Sequence, residues 1–367
     1  MIGTRIAVAR GARRRPWRRA LGTGLPALWG TGAITYKLTC PLAQEDGLGA
    51  RLVSGAVLLA VGTGLICHVR RALVRELRQA RRVAGAAQNV LLRPLPPRVG
   101  LLSVAAVGLP AERGASVGGD LYEAIATEHG VRVLIGDVRG HGLAALGAVA
   151  AVLGSFREAA YDEAPLGGVL RRLDRALARH LRERAREEHP ARGPGGRGGA
   201  DPANPVAEEF VTVLLLEIRP EGDVYALNCG HPWPYLLGPD RVGPLEGAEP
   251  LPPLGPFPLP VALGPQRLGR LGPGEALFLY TDGVGDARDA HGRFFPLPEV
   301  LGEAVRGGIL SPQAVLRVVF PRLLRHTGPA PDDDMAAVVL HNDRIRNARS
   351  PAPPATEPAG HRAHRVT

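Results

Sequence analysis

Residues 131–142 read VRVLIGDVRGHG, an apolar run that ends on an aspartate and then breaks at glycines. Val131 to Val138 reads as a buried strand. Asp137 then sits at the rim of the core, beside a turn. Three more segments share this design: Gly118-Gly119-Asp120-Leu121-Tyr122, Tyr280-Thr281-Asp282-Gly283-Val284 and Asp332-Asp333-Asp334-Met335. One such aspartate means little, because Asp is a common turn and cap residue. Four of them, each next to glycine or another acid, form a pattern. If the fold gathers them, their repulsion and desolvation would be severe without cations. Oxygen-only ligands favour hard ions such as Mg²⁺ and Mn²⁺. Four carboxylates balance two dications and leave a neutral site able to accept a phosphate dianion. The neighbouring glycines allow backbone and bound water to come close.

Outward from this stretch, strand and helix signals come in blocks. Leu143 to Ala160 and Leu166 to Arg186 read as helices, while Phe210 to Ile218, Asp223 to Asn228, Glu275 to Thr281 and Met335 to His341 read as strands. Blocks without strict alternation predict an α+β layered fold. Residues 187–206 are a Gly/Pro-rich insertion and residues 343–367 a polar, Pro-rich tail, both expected to be disordered. No internal repeat is visible.

The N-terminal part has a different character. Residues 1–19 carry seven arginines, and residues 20–69 contain two apolar runs, Ala20 to Leu42 and Leu52 to Val69, split by an acidic loop at Glu45-Asp46. A helix needs about 20 residues to cross the hydrocarbon core, and the second run meets that better than the first, which carries Lys37. Arginines flank both outer ends. That asymmetry predicts a transmembrane hairpin with both ends, and the rest of the chain, in the cytoplasm: a multi-pass protein of the cell membrane. Residues 70–97 follow as a helical linker, with Leu73, Leu77, Ala80, Ala84, Ala87 and Leu91 at three- and four-residue steps, stopped by Pro94, Pro96 and Pro97. It reads as a connector or a stalk that could pair two copies into a homodimer.

Composition narrows the function classes. The net charge is +10, but Lys37 is the only lysine and arginine supplies the other 44 basic residues. With abundant Ala, Gly and Pro, this is the signature of a GC-rich genome. No basic helix or zinc site accompanies the charge, so no nucleic-acid partner is expected. Cys40, Cys67 and Cys229 suit neither a zinc site nor a disulfide framework, which implies a reducing compartment for the main domain.

In order, GGDLY, GDVRGHG, NCGHPWP, LYTDGV and DDDMAAVVL resemble the ordered motif set of the SpoIIE-type branch of the PPM (2C-type) protein serine/threonine phosphatases, over residues 98–342. Each motif is weak alone; the five in sequence are specific. The resemblance implies an α/β/β/α sandwich of two antiparallel sheets flanked by helices, with two divalent cations, Mn²⁺ or Mg²⁺, at one end. It implies that Asp137 bridges the metals, that the Val138 carbonyl also ligates one, that Asp120 helps hold one, and that Asp282 and Asp333 hold the other, with Asp334 the alternate for Asp333. Asp137, Asp120 and Asp282 would then be the catalytic residues, and a water bridging the two cations would attack phosphorus. The implied substrate is a phosphorylated regulatory protein, often an anti-sigma-factor antagonist. Three positions depart from the family pattern: Glu123 after GGDLY, Cys229 in the NCGHP turn, and Gly285-Asp286 after TDGV. None removes an expected ligand. His141 and His231 read as turn residues more than acid/base groups, and Asn228 as the cap of its turn. The rival reading is a pseudophosphatase scaffold that binds a phosphorylated partner without turnover.

Overall fold

The computed structural model describes residues 32, 35, 48–109, 118–140, 143–188, 209–239, 241–306, 310–328 and 333–344. Two compact units divide the chain, Met1–Ala80 and Arg81–Thr367.

The first described element is one helix, α1 (Leu48–Leu91). The second apolar run and the linker are therefore continuous, not separate helices. The reason is local: no proline falls between them, and Arg70 and Arg71 are good helix formers. Within α1, Gly55–Glu76 is 22 residues long with a mean hydropathy of 1.6, long and apolar enough to cross a membrane. Val57, Val61 and Ile66 in this stretch are exposed. Among the described residues this is the one helix that qualifies. The first apolar run of the expected hairpin lies outside the described residues apart from residues 32 and 35, and the 187–206 insertion lies outside them from residue 189 onward.

Among the described residues the second unit holds eleven strands in two sheets. One has six strands, in the order β1 (Arg98–Val99), β2 (Leu102–Leu109), β11 (Met335–Asn342), β10 (Ala276–Tyr280), β7 (Tyr235–Leu237), β8 (Val242–Pro244). The other has five, in the order β3 (Asp120–Thr127), β4 (Gly130–Val138), β5 (Val211–Ile218), β6 (Asp223–Cys229), β9 (Gln266–Arg270). All the strand pairings are antiparallel. Helices α2 (Leu143–Asp162) and α3 (Leu166–Glu188) cover the five-stranded sheet; α5 (Leu297–Arg306) and α6 (Pro312–Thr327) cover the six-stranded one. A single turn, α4 (Asp282–Gly285), follows β10.

Three apolar clusters hold these layers together. Val133 and Ile135 of β4 meet Leu277 and Val338 between the sheets. Leu134 and Val138 point the other way, to Val149, Phe156 and Leu170 of α2 and α3. Phe278 and Val339 pack on Leu301 and Val319 of α5 and α6. Alternation along β4 thus buries both of its faces, which is why its sequence is mostly apolar, with Arg132 and Asp137 the two charged exceptions. The sandwich expected from the motif resemblance is the one observed.

Among the polar groups buried in this frame, one is fully enclosed and charged. Arg132, on β4, is fully buried among the helix-facing residues and opposite Glu217 of β5. Its five N–H donors are all used: Nε (3.1 Å) and Nη2 (2.8 Å) donate to Glu217 Oε2, and the others donate to the carbonyls of Ala160, Glu163 and Ala164 around the end of α2. The guanidinium therefore fixes the corner between α2 and α3.

Candidate metal centre

The strand directions place every aspartate motif at one end of the sandwich. Asp120 opens β3, Asp137 lies next to last in β4, Asp282 directly follows β10 and Thr281, and Asp333-Asp334 immediately precede β11. Asp120 and Asp137 are directly opposite each other in the β3–β4 ladder. Side-chain alternation puts both on the face that looks into the space between the sheets, with Tyr122, Ala124, Val133 and Ile135.

The fold holds these carboxylates through hydrogen bonds. Asp120 Oδ2 accepts from the buried Thr281 hydroxyl at 3.1 Å, and that hydroxyl accepts from Ala336 N at 2.9 Å. Asp120 Oδ1 is buried with no partner. Asp334 Oδ2 accepts from Gly119 N at 2.8 Å. Asp282 Oδ1 accepts from Gly283 N at 2.9 Å, and Asp333 Oδ1 from Asp334 N at 2.8 Å. Glycines make the space. A Cβ on Gly119 would lie 2.5 Å from the Val138 carbonyl oxygen and 2.7 Å from Asp137 Oδ1, so those two oxygens face one point that only glycine leaves open. A Cβ on Gly283 would collide with the Asp334 carbonyl.

The electrostatics show that these acids feel one another. Asp120 is raised well above the usual carboxylate range, first by burial and then by the charges of Asp137 and Asp334. Asp137 is raised to about 7, by burial and then by Asp282, Asp333 and Asp334. Asp282 is raised by burial and by Asp333. No basic side chain is among the influences on any of the three. Among the described residues, no three Asp, Glu, His or Cys side chains stand close enough to hold one ion between them. The acids share one end of the sandwich, where hydroxyl and backbone N–H groups donate to them. The donor set still fits hard dications. It offers only oxygens, one of them an orphaned buried oxygen on Asp120, with a carbonyl and a carboxylate aimed at one cleared space.

The other singled-out residues fall elsewhere. Glu123 faces away from the cluster, toward α2, where it accepts from Arg157 Nε at 2.7 Å; strand parity explains why this departure from the family pattern leaves the acids untouched. Cys229 is fully buried against the helix-side core. Asn228 closes its turn, donating to the His231 carbonyl and accepting from His231 N, both at 2.8 Å. His231 is buried with Nδ1 3.1 Å from the Thr212 hydroxyl, and burial holds its pKa down at about 3. It is a neutral structural residue, not an acid or base near neutral pH. His141 and Asp332 lie outside the described residues. Sequence reading assigned Thr281 no role, although it orients Asp120; a lone threonine beside an aspartate carries no signal until burial is known.

Known proteins share this architecture. The model of the family of stage II sporulation protein E, SpoIIE, matches residues 127–343, more than half of the chain. The chain belongs to the SpoIIE family. Among solved structures, the SiaA-PP2C domain of Pseudomonas aeruginosa matches at 18% identity with a TM-score of 0.51, over 75% of this chain and 98% of that one. The RsbU and RsbW domains of Rv1364c from Mycobacterium tuberculosis match at 24% identity and a TM-score of 0.48, over 65% of this chain and 61% of that one. The PP2C phosphatase domain with a regulatory fragment of SpoIIE from Bacillus subtilis matches at 16% identity and a TM-score of 0.46, over 65% and 62%. The chain thus spans about three fifths of the length of the last two. No curated protein matches. The SpoIIE domain of this chain has the fold of the PPM-type serine/threonine phosphatases.

Proposed function

We propose that this SpoIIE domain, residues 98–342, is a metal-dependent phosphatase that hydrolyses phosphoserine or phosphothreonine on a regulatory protein. The observation that carries the reading is the set of same-sign carboxylates at one end of the sandwich, with Asp120 buried and Asp137 and Asp282 half-buried, each raised by burial and by its acidic neighbours. Asp137 and the Val138 carbonyl would hold the shared position, Asp120 one ion, and Asp282 with Asp333 or Asp334 the other. Two hard dications supply, when bound, charge neutralisation for a phosphate dianion and a lowered pKa for water. The chain's own residues do the positioning. Thr281 fixes the Asp120 carboxylate through its hydroxyl. Gly119 keeps the approach to Asp137 and Val138 open. The Gly119 N–H holds Asp334 across the gap between the sheets.

Family membership supports a phosphorylated partner in a regulatory switch, such as an anti-sigma-factor antagonist, as substrate. The stretch Gly55–Glu76 supports attachment to the membrane. We extend this to a hairpin with the catalytic domain in the cytoplasm, and to pairing of two copies through the linker helix. The test uses the full chain in detergent with a phosphoserine protein. Phosphate release should require Mn²⁺ or Mg²⁺ and stop with EDTA. Tight binding of the phosphoprotein with no release under any metal would favour the scaffold reading instead.

A further inference from the structure

β4 ends at Val138, but its pairing with β5 runs one residue further: Arg139 N donates to the Phe210 carbonyl at 2.9 Å. Arg139 therefore stands opposite Phe210 as Asp137 stands opposite Thr212. In a pleated ladder, residues two apart emerge on the same face, about 7 Å from each other. Arg139 thus leaves the sheet on the face of the carboxylate cluster, one step further out. Its guanidinium carbon lies 5.2 Å from the centre of the Phe210 ring, a cation–π contact that holds the side chain on the aromatic face.

Arg139 has a different environment from the domain's other well-placed arginines. Arg98, Arg132, Arg157 and Arg184 each pair with a carboxylate. Arg139 is exposed and, among the described residues, has neither an ion pair nor a side-chain hydrogen bond. A cation sits two residues from a crowd of acids, stacked on a ring, with no hydrogen-bond partner for its forked donors among the described residues. A planar guanidinium with free donors matches the paired oxygens of a phosphate monoester.

We propose that Arg139, braced by Phe210, is a substrate-binding residue that takes the phosphoryl oxygens of the incoming phosphoserine or phosphothreonine. This rests on the phosphatase reading above. The experiment compares the full chain in detergent with Arg139→Ala, Arg139→Lys and Phe210→Leu variants. It measures Mn²⁺-dependent turnover of a phosphoserine peptide and, separately, calorimetric binding of the same peptide. Losing a hydrogen bond to a charged group predicts a KM for Arg139→Ala raised roughly tenfold to a hundredfold. kcat should change less, the melting temperature should hold, Arg139→Lys should recover part of the loss, and Phe210→Leu should fall between. Wild-type turnover with an unchanged KM in Arg139→Ala overturns the inference and leaves the phosphatase reading standing. If the wild type turns nothing over, that reading fails and binding decides: peptide affinity lost in Arg139→Ala supports the inference, whereas equal binding by both proteins, or none by the wild type, overturns it.

Discussion

The strand Gly130–Val138 turns charge inward twice, fully buried at Arg132 and half-buried at Asp137, and treats the two cases in opposite ways. Near its start, Arg132 faces the helices with a carboxylate partner and three carbonyls, so no donor is left over. Near its end, Asp137 faces the gap between the sheets, opposite Asp120 and within the field of three more acids. The first arrangement is complete within the chain. In the second, the influences that raise Asp137 are burial and like charge, and on the proposed function a bound cation would lower that cost. A fold that can satisfy a buried guanidinium so fully has the means to satisfy a carboxylate. The proposed metal-dependent activity rests on the fold leaving a group of carboxylates within one another's field.

The contrast is sharpest under mutation. Asp137→Asn should lower Mn²⁺-dependent phosphate release by more than the roughly 10–100-fold typical of losing a supporting residue around a metal, because it removes the shared ligand itself. The same variant, measured without metal, should melt above the wild type, since one of the repelling charges is gone. Arg132→Met should do the reverse. It should leave Glu217 buried and uncompensated, at about 3–5 kcal/mol of stability by denaturant titration, while a double change of Arg132→Met with Glu217→Leu recovers much of the loss. Such a loss from Asp137→Asn, or none from Arg132→Met, would dissolve the distinction between the two sites.

Thr281→Val should have a smaller effect. It strips Asp120 Oδ2 and Ala336 N of a buried partner, costing about 1–3 kcal/mol, and it should weaken Mn²⁺ binding because Asp120 is no longer aimed. Calorimetric titration checks both. The mildest effect concerns pH. His231 is held neutral in the fold, with a pKa near 3 against 6.5 when free. The unfolded chain therefore binds the extra proton first. The contribution of His231 is complete above pH 6.5 and is lost as pH falls toward 3. Replacing it with Gln should flatten the melting-temperature profile across that window; an unchanged profile would show that His231 does not set acid sensitivity.

Much of the sandwich was legible because its central strands and long helices are strongly patterned. Val131–Val138 and Met335–His341 are short, mostly apolar, β-branched-rich runs consistent with a doubly covered strand, and Leu166–Arg186 repeats at helical spacing. The short strands β7, β8 and β9 carried no such pattern: three to five residues are too few to show a period, and β8 and β9 lie at sheet edges where little is buried. The acids were visible as a recurring aspartate-and-glycine punctuation. Their supports were not. Thr281, the Gly119 N–H and the Arg139–Phe210 stack depend on neighbours brought together by register, which no spacing along the chain reveals. The continuity of α1 was missed for the opposite reason: a change from apolar to arginine-rich composition suggested a boundary where the backbone had none.

The most direct measurement is a titration of Mn²⁺ into the full chain in detergent, followed by calorimetry and by metal content after desalting. The account predicts bound Mn²⁺ that raises the melting temperature and is lost in Asp137→Asn. No binding by the wild type, or binding that Asp137→Asn leaves intact, would contradict it.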